Sequence, residues 1–288
     1  MLNYILYRIG QFIALTLPLR FGYWLAVLIS DIRYLFAYKD RANVKANLKA
    51  IFPEKSEREI RKIRIRMFRN FAKYLVDFFR FSLIDQEYIR KNIHLENIHY
   101  IDEALNKKKG VIALSAHLGN WELGAALLAL LGYPFYAVVK PHKYKKVNDF
   151  FNFQRESKGV KIIPLGKAVR QCLNVLKNNC MVALVGDRDF TEKGIIVDFL
   201  GRPAFLPEGA AAFSLKTGAV IVPGFMLRNI DDSFTLTMEK PIDFVPEKEN
   251  QEAIRELILH YKTILEDYIR RYPDQWYMFR KFWVENHK

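Results

Sequence analysis

His117 and Glu122 stand five positions apart in the stretch Val111–Gly124, VIALSAHLGNWELG. An imidazole held by a carboxylate can take a proton from a hydroxyl, because the acid fixes the ring tautomer and steadies the imidazolium that forms. The surrounding residues say where such a pair would sit. Val111–Ala116 is short, apolar and free of charge, which predicts a buried strand. Gly119 and Asn120 then predict a turn, with Asn120 as helix N-cap and Trp121 and Glu122 in the first turn. The Ala- and Leu-rich run that follows stops at Gly132, with Pro134 just beyond. His117 is therefore expected at the carboxyl end of a strand, the edge of an open α/β sheet where ligands bind. In isolation a His-x4-Glu spacing is more often a helix-capping pair than a catalytic one. The strand before it and the helix after it favour the catalytic reading, with Glu122 as the acid that orients His117.

The elements that must position this turn alternate along the chain. Strands are expected at Phe135–Val139, Val160–Ile163, Met181–Gly186, Ile195–Leu200 and Ala219–Leu227, and helices over 147–157, 168–176 and 207–216. This alternation predicts an α/β fold with a mainly parallel central sheet flanked by helices. Phe234–Met238 alternates and is placed at the sheet margin. Glu252–Arg271 carries a clear helical stripe and reads as a packing helix. Upstream, Ser56 and Glu59 form a capping-box signature. Behind it Ile60, Ile63, Met67, Phe71, Tyr74, Leu75 and Phe78 share one face, with arginines and lysines on the others. Residues 1–38 are the most apolar part. The window Ile9–Ser30 is long enough to cross a bilayer, but Pro18 and Arg20 interrupt it, and a central Arg is costly in hydrocarbon. The reading is a kinked or interfacial membrane-associating helix that stays attached (residues 1–38), followed by an α/β domain (39–288).

Net charge is +14, from 45 Lys and Arg against 31 Asp and Glu, and hydrophobic residues make up 51% of the chain. The first hundred residues carry twice as many basic as acidic side chains. Such an excess suits an anionic partner: a lipid surface, an acidic protein or nucleic acid. Cys172 and Cys180 read as ordinary thiols, with no Cys/His cluster for a metal. His94 and His99 fall on one expected strand, Ile93–Tyr100, at a separation that puts them on opposite faces. Ser115 lacks a Gly-x-Ser-x-Gly frame. No phosphate-binding glycine loop is present, so no nucleotide cofactor is expected.

The motif is similar to a known block. His117-Leu-Gly-Asn-Trp-Glu122 resembles the His-x4-Asp/Glu block of lipid acyltransferases, and its Gly-Asn-Trp-Glu form resembles the late lauroyl/myristoyl acyltransferases of lipid A biosynthesis. The likeness continues through Arg155 and Gly159, Asp187-Arg188-Asp189, Val197–Ala204, Thr217–Gly224 and Pro273–Tyr277. The chain departs from the pattern at Phe279-Arg280-Lys281, where a His-Arg-Arg-like run is usual, and mildly at Lys140-Pro141, where Arg-Pro is common.

That resemblance implies transfer of a fatty acyl chain from a thioester, on acyl carrier protein or CoA, to a hydroxyl of a lipid A precursor. The expected setting is the cytoplasmic face of a bacterial inner membrane. His117 would be the base and Glu122 its orienting acid. The amides of Gly119 and Asn120, or an arginine, would steady the oxyanion. The resemblance marks Arg155 and Arg188 as substrate contacts, and Arg228 is a further cation for anionic substrate groups. Asp187 and Asp189 would orient arginines, and Glu208, in a Pro-Glu-Gly block, would serve the acceptor. The partners expected are acyl carrier protein, the lipid acceptor and an anionic membrane surface, not nucleic acid; the co-substrate thioester replaces any cofactor. Two alternatives remain open: acylation of another glycolipid, such as a mannosylated phosphoinositide, or of a glycerolipid; and a non-enzymatic protein binding anionic lipid or nucleic acid.

Overall fold

Buried parallel strands need cover on both faces, and this chain supplies it by alternating strands with helices. The computed structural model describes residues 2–189, 191–244 and 250–284. In chain order the elements begin with α1 (Leu2–Thr16), α2 (Leu19–Phe36), α3 (Tyr38–Ile51), α4 (Glu57–Phe79) and α5 (Gln86–Asn92). Then come β1 (Ile93–Glu96), α6 (His99–Asn106), β2 (Val111–Ser115), α7 (Trp121–Leu130), β3 (Phe135–Val139), α8 (Lys145–Glu156) and β4 (Lys161–Pro164). The chain continues through α9 (Ala168–Lys177), β5 (Met181–Val185), β6 (Ile195–Phe199), β7 (Arg202–Leu206) and α10 (Gly209–Thr217). It finishes with β8 (Val220–Arg228), β9 (Phe234–Met238) and α11 (Gln251–Arg271).

Among the described residues seven strands form one sheet in the order β1-β9-β8-β2-β5-β3-β4. The five from β8 to β4 are parallel, and β9 runs antiparallel to β8. The strand bearing the histidine motif is thus the middle one, and Val111, Ile112, Ala113 and Leu114 are buried. One apolar core lies on each sheet face, one centred on Phe225, Tyr261 and Trp276, the other on Phe78, Leu127 and Phe234.

Three expectations change. Ile195–Phe199 does not join the central sheet. It pairs with β7 in a separate hairpin turned at Leu200-Gly201, both at positive φ. The tight turn returns the chain at once, which a run of apolar residues does not reveal. Phe234–Met238 is next to the margin, because β1 lies outside it. The expected strand Ile93–Tyr100 ends at Glu96, and His99 opens α6, so His94 and His99 share no strand. Among the described residues no cluster of three or more His, Cys, Asp or Glu side chains is arranged to hold a metal. Both cysteines are free, and burial pushes the Cys172 thiol up to about 11.

The apolar N-terminal window is cut at Pro18 into α1 and α2. Among the described residues no helix is long and apolar enough to cross a membrane. Both helices are tied to the body. Arg80 donates to the carbonyls of Ala14 and Leu17 at the end of α1. Arg69 holds Asp31 through two hydrogen bonds. Their outer faces nevertheless carry exposed Ile9, Phe12, Trp24 and Phe36.

Candidate active site

Sheet register decides the partner of His117. In the parallel pair β2–β5, Ser115 lies opposite Val185. Two residues further on, the same register sets His117 beside Asp187. The Asp187 carboxylate meets His117 Nδ1 at 2.7 Å and also accepts the His117 backbone amide at 3.2 Å. Its other oxygen accepts the Trp276 indole N–H at 3.0 Å. Asp187 is fully buried, whereas the His117 side chain keeps 18% of its surface exposed. The acid is sealed inside while the ring retains an open side. Burial by itself raises the Asp187 carboxyl. The His117 ring, the Arg188 guanidinium and the Trp276 hydrogen bond outweigh it and hold the group well below the usual carboxylate range.

This arrangement corrects the expectation for Glu122. Its carboxylate lies in a bidentate bridge with Arg155, at 2.8 Å to Nε and 2.6 Å to Nη2, both side chains about one-tenth exposed. The reason is helical. Glu122 is on the first turn of α7 and faces α8, while Trp121 takes the space beside His117, ring centroids 5.2 Å apart. A buried carboxylate requires a full complement of donors, and the planar fork of Arg155 provides two. Arg155 is thereby a partner of Glu122, and its expected place on the substrate is already occupied.

The turn itself is clamped. The Asn120 side chain caps α7 by accepting from the Leu123 amide, as expected. The Gly119 amide donates to the Gln275 carbonyl and the Asn120 amide to the Met226 carbonyl. Both amides are therefore spent, and neither is the oxyanion donor anticipated for them. Gly119 has φ +61°, and a Cβ there would stand 2.0 Å from the Met226 oxygen, so the turn requires glycine. From the other side the Tyr277 amide donates to the His117 carbonyl.

The remaining candidates divide. Arg188 stays at the site: Nη1 donates to the Tyr277 carbonyl at 3.3 Å, on the segment that holds His117. Burial lowers its pKa against the opposing Asp187 charge, and the nearby Arg280 charge adds to the lowering. Asp189 instead ties its own loop, accepting from Thr191, Lys193 and Gly194. Arg228 is buried against Asp77 and also reaches Asp232. Glu208 precedes α10, makes no capping bond with its side chain, and is half-buried near Tyr261.

Sequence reasoning missed Asp77. Its carboxylate takes the Tyr23 hydroxyl from α2, the Asn120 side-chain amide from the turn after His117 and the Arg228 guanidinium from β8. One buried acid thus joins the N-terminal helices to the turn carrying His117. The available signal was a lone acid in the apolar run Tyr74–Phe79.

Fold and site together define a class: a mainly parallel α/β protein whose central strand ends in a histidine paired with a buried acid and open on one side. The chain belongs to the bacterial lipid A biosynthesis acyltransferase family, whose model matches residues 1–285. It is 29% identical over 160 residues to the phosphatidylinositol mannoside acyltransferase of Mycobacterium tuberculosis, covering 54% of this chain and 51% of that protein. It is 24% identical over 251 residues to the lipid A biosynthesis palmitoleoyltransferase of Escherichia coli, covering 86% and 80%. A lipid A biosynthesis acyltransferase of Haemophilus influenzae is 22% identical over 198 residues, covering 68% and 62%. The chain spans about half the length of the mannoside acyltransferase it matches.

Proposed function

We propose that this protein is an O-acyltransferase that moves a fatty acyl chain from a thioester, on acyl carrier protein or CoA, to a hydroxyl of a glycolipid. The observation that carries this reading is the His117–Asp187 pair at the carboxyl edge of the central strand, in a chain of this family. Asp187 holds the Nδ1 proton, leaving Nε2 as the base. Nε2 accepts the proton of the lipid alcohol as its oxygen attacks the thioester carbonyl. The tetrahedral intermediate collapses, the C–S bond breaks and the thiolate leaves, taking the proton back from His117. Asp187 stays ionised and steadies the imidazolium. Arg188 supplies positive charge for the oxyanion or for phosphate on a substrate. No covalent acyl-enzyme is required.

The acceptor is a lipid A precursor, and the basic balance of the chain suits both an acidic carrier protein and an anionic bilayer at the inner membrane's cytoplasmic face. The exposed apolar faces of α1 and α2 support peripheral seating on that bilayer. A second acceptor, a mannosylated phosphoinositide, is favoured by the mannoside acyltransferase likeness.

Purified protein given acyl-carrier or acyl-CoA thioester with each acceptor, followed by mass spectrometry of the lipid products, tests the proposal. A product one acyl group heavier, absent with His117→Ala, is expected. No acylated lipid from any acceptor, or full activity in His117→Ala, overturns it.

A further inference from the structure

α1 and α8 run parallel, side by side. Lys146 stands over the Tyr4 ring at 6.0 Å. One turn on, Tyr7 stacks on Phe150 at 6.3 Å and Arg8 lies 6.0 Å from the same ring. One turn further, Gln11 donates to Gln154 at 3.3 Å. With those residues facing one another, the pair leaves exposed Ile9 and Phe12 from α1, 50% and 69%, and Phe153 from α8, 66%. Phe153 is two turns beyond Lys146 on the same face of α8. At the head of both helices lies the loop Lys140–Tyr144, in the sequence KPHKYKK. Lys140, Lys143 and Lys146 are exposed. Among the described residues these three meet no carboxylate, whereas Lys145 is paired with Asp149. The loop leaves the carboxyl end of β3, the same sheet edge as His117, with only β5 between β3 and β2. Arg155, in the last turn of α8, holds Glu122 beside the catalytic turn.

We propose that this loop and the α1–α8 face form one docking surface for an anionic bilayer, in which Lys140, Lys143 and Lys146 bind headgroup phosphates while Ile9, Phe12 and Phe153 enter the acyl boundary. Apolar side chains beside cations that meet no carboxylate match the two layers of a membrane surface, which a soluble acidic protein does not offer. The surface sets the reacting edge of the sheet against the lipid. It rests on the peripheral seating proposed above and is independent of the acyl-transfer chemistry.

The test is flotation with phosphatidylcholine vesicles, with and without phosphatidylglycerol, alongside acyl transfer to detergent-dispersed acceptor. The parent protein is expected to bind the anionic vesicles far more tightly, with an affinity that falls as salt rises. Lys140→Gln/Lys143→Gln/Lys146→Gln should lose about ten- to a hundredfold in affinity for them, with detergent-phase activity unchanged. Ile9→Asp/Phe12→Asp should lose binding to both vesicle types. Equal binding of parent and triple variant to anionic vesicles overturns the proposal and leaves peripheral seating intact. A triple variant that keeps vesicle binding but weakens for an acidic carrier protein assigns the loop to that protein, also overturning it. A parent that binds no vesicle overturns both the proposal and the seating.

Discussion

Two buried acid–base contacts stand within a few residues of each other and do different things. Glu122 and Arg155 satisfy one another through two hydrogen bonds and are both nearly closed to solvent. Asp187 and His117 are also paired, but only the acid is sealed; the ring keeps an open side. The first contact spends both carboxylate oxygens of Glu122 on Nε and Nη2 of Arg155, which holds α7 against α8. The second engages Nδ1 of the ring, and Nε2 is the nitrogen the proposed reaction uses. Residue type does not separate the two. What separates them is which partner reaches solvent: in the second pair the ring does and the acid does not. Asp77 belongs with the closed kind: three elements donate to it.

The contrast breaks or sharpens under substitution. Asp187→Asn should cost about 10²- to 10⁴-fold in turnover, with a smaller fall in melting temperature than Glu122→Ala, because the amide keeps the shape and its oxygen still accepts on one of the two sides that His117 and Trp276 occupy. Glu122→Ala should show the opposite pattern. Leaving Arg155 buried and uncompensated costs about 3–5 kcal/mol, a fall in melting temperature on the order of 10 °C, readable by calorimetry. If Glu122→Gln instead abolished turnover without moving the melting temperature, the contrast would fail. Asp77→Asn should lower stability less than Glu122→Ala, because the amide oxygen can still accept two of the three donors; a fall in turnover with substrate KM unchanged would show that the turn had shifted. The pH dependence follows from Asp187. Its pKa is lowered in the folded protein, so its stabilising contribution is complete above the ordinary carboxylate value of about 4 and lost as pH falls below it. Asp187→Asn should flatten that acid limb in melting experiments. Least affected should be Asp40→Asn at the exposed Arg33 pair, within about 0.5 kcal/mol by denaturant titration.

Much of the local structure was legible because short-range rules govern it. The Ser56–Glu59 capping box forms as written, Asn120 caps α7, and Gly218 closes α10 at φ +71°. His117 at a strand end follows from the apolar run before it and the Gly-Asn turn after it. The reading failed where partners come from far away. Nearness in sequence pairs Glu122 with His117. The true partner, Asp187, is seventy residues on and is brought in by the β2–β5 register. Arg155 and Arg228 look like free cations in sequence and are buried bridges in space. The amides of Gly119 and Asn120 looked available and are taken by Gln275 and Met226.

Sequence alone determined the alternation of strands and helices, the turn that carries the histidine and the apolar N-terminal stretch, since each depends on side-chain periodicity or on caps within a few residues. Tertiary structure alone decided which acid holds the ring, which arginines are spent and which lysines stand beside exposed apolar faces. Those outcomes depend on strand order and helix docking, which join residues that no local spacing relates.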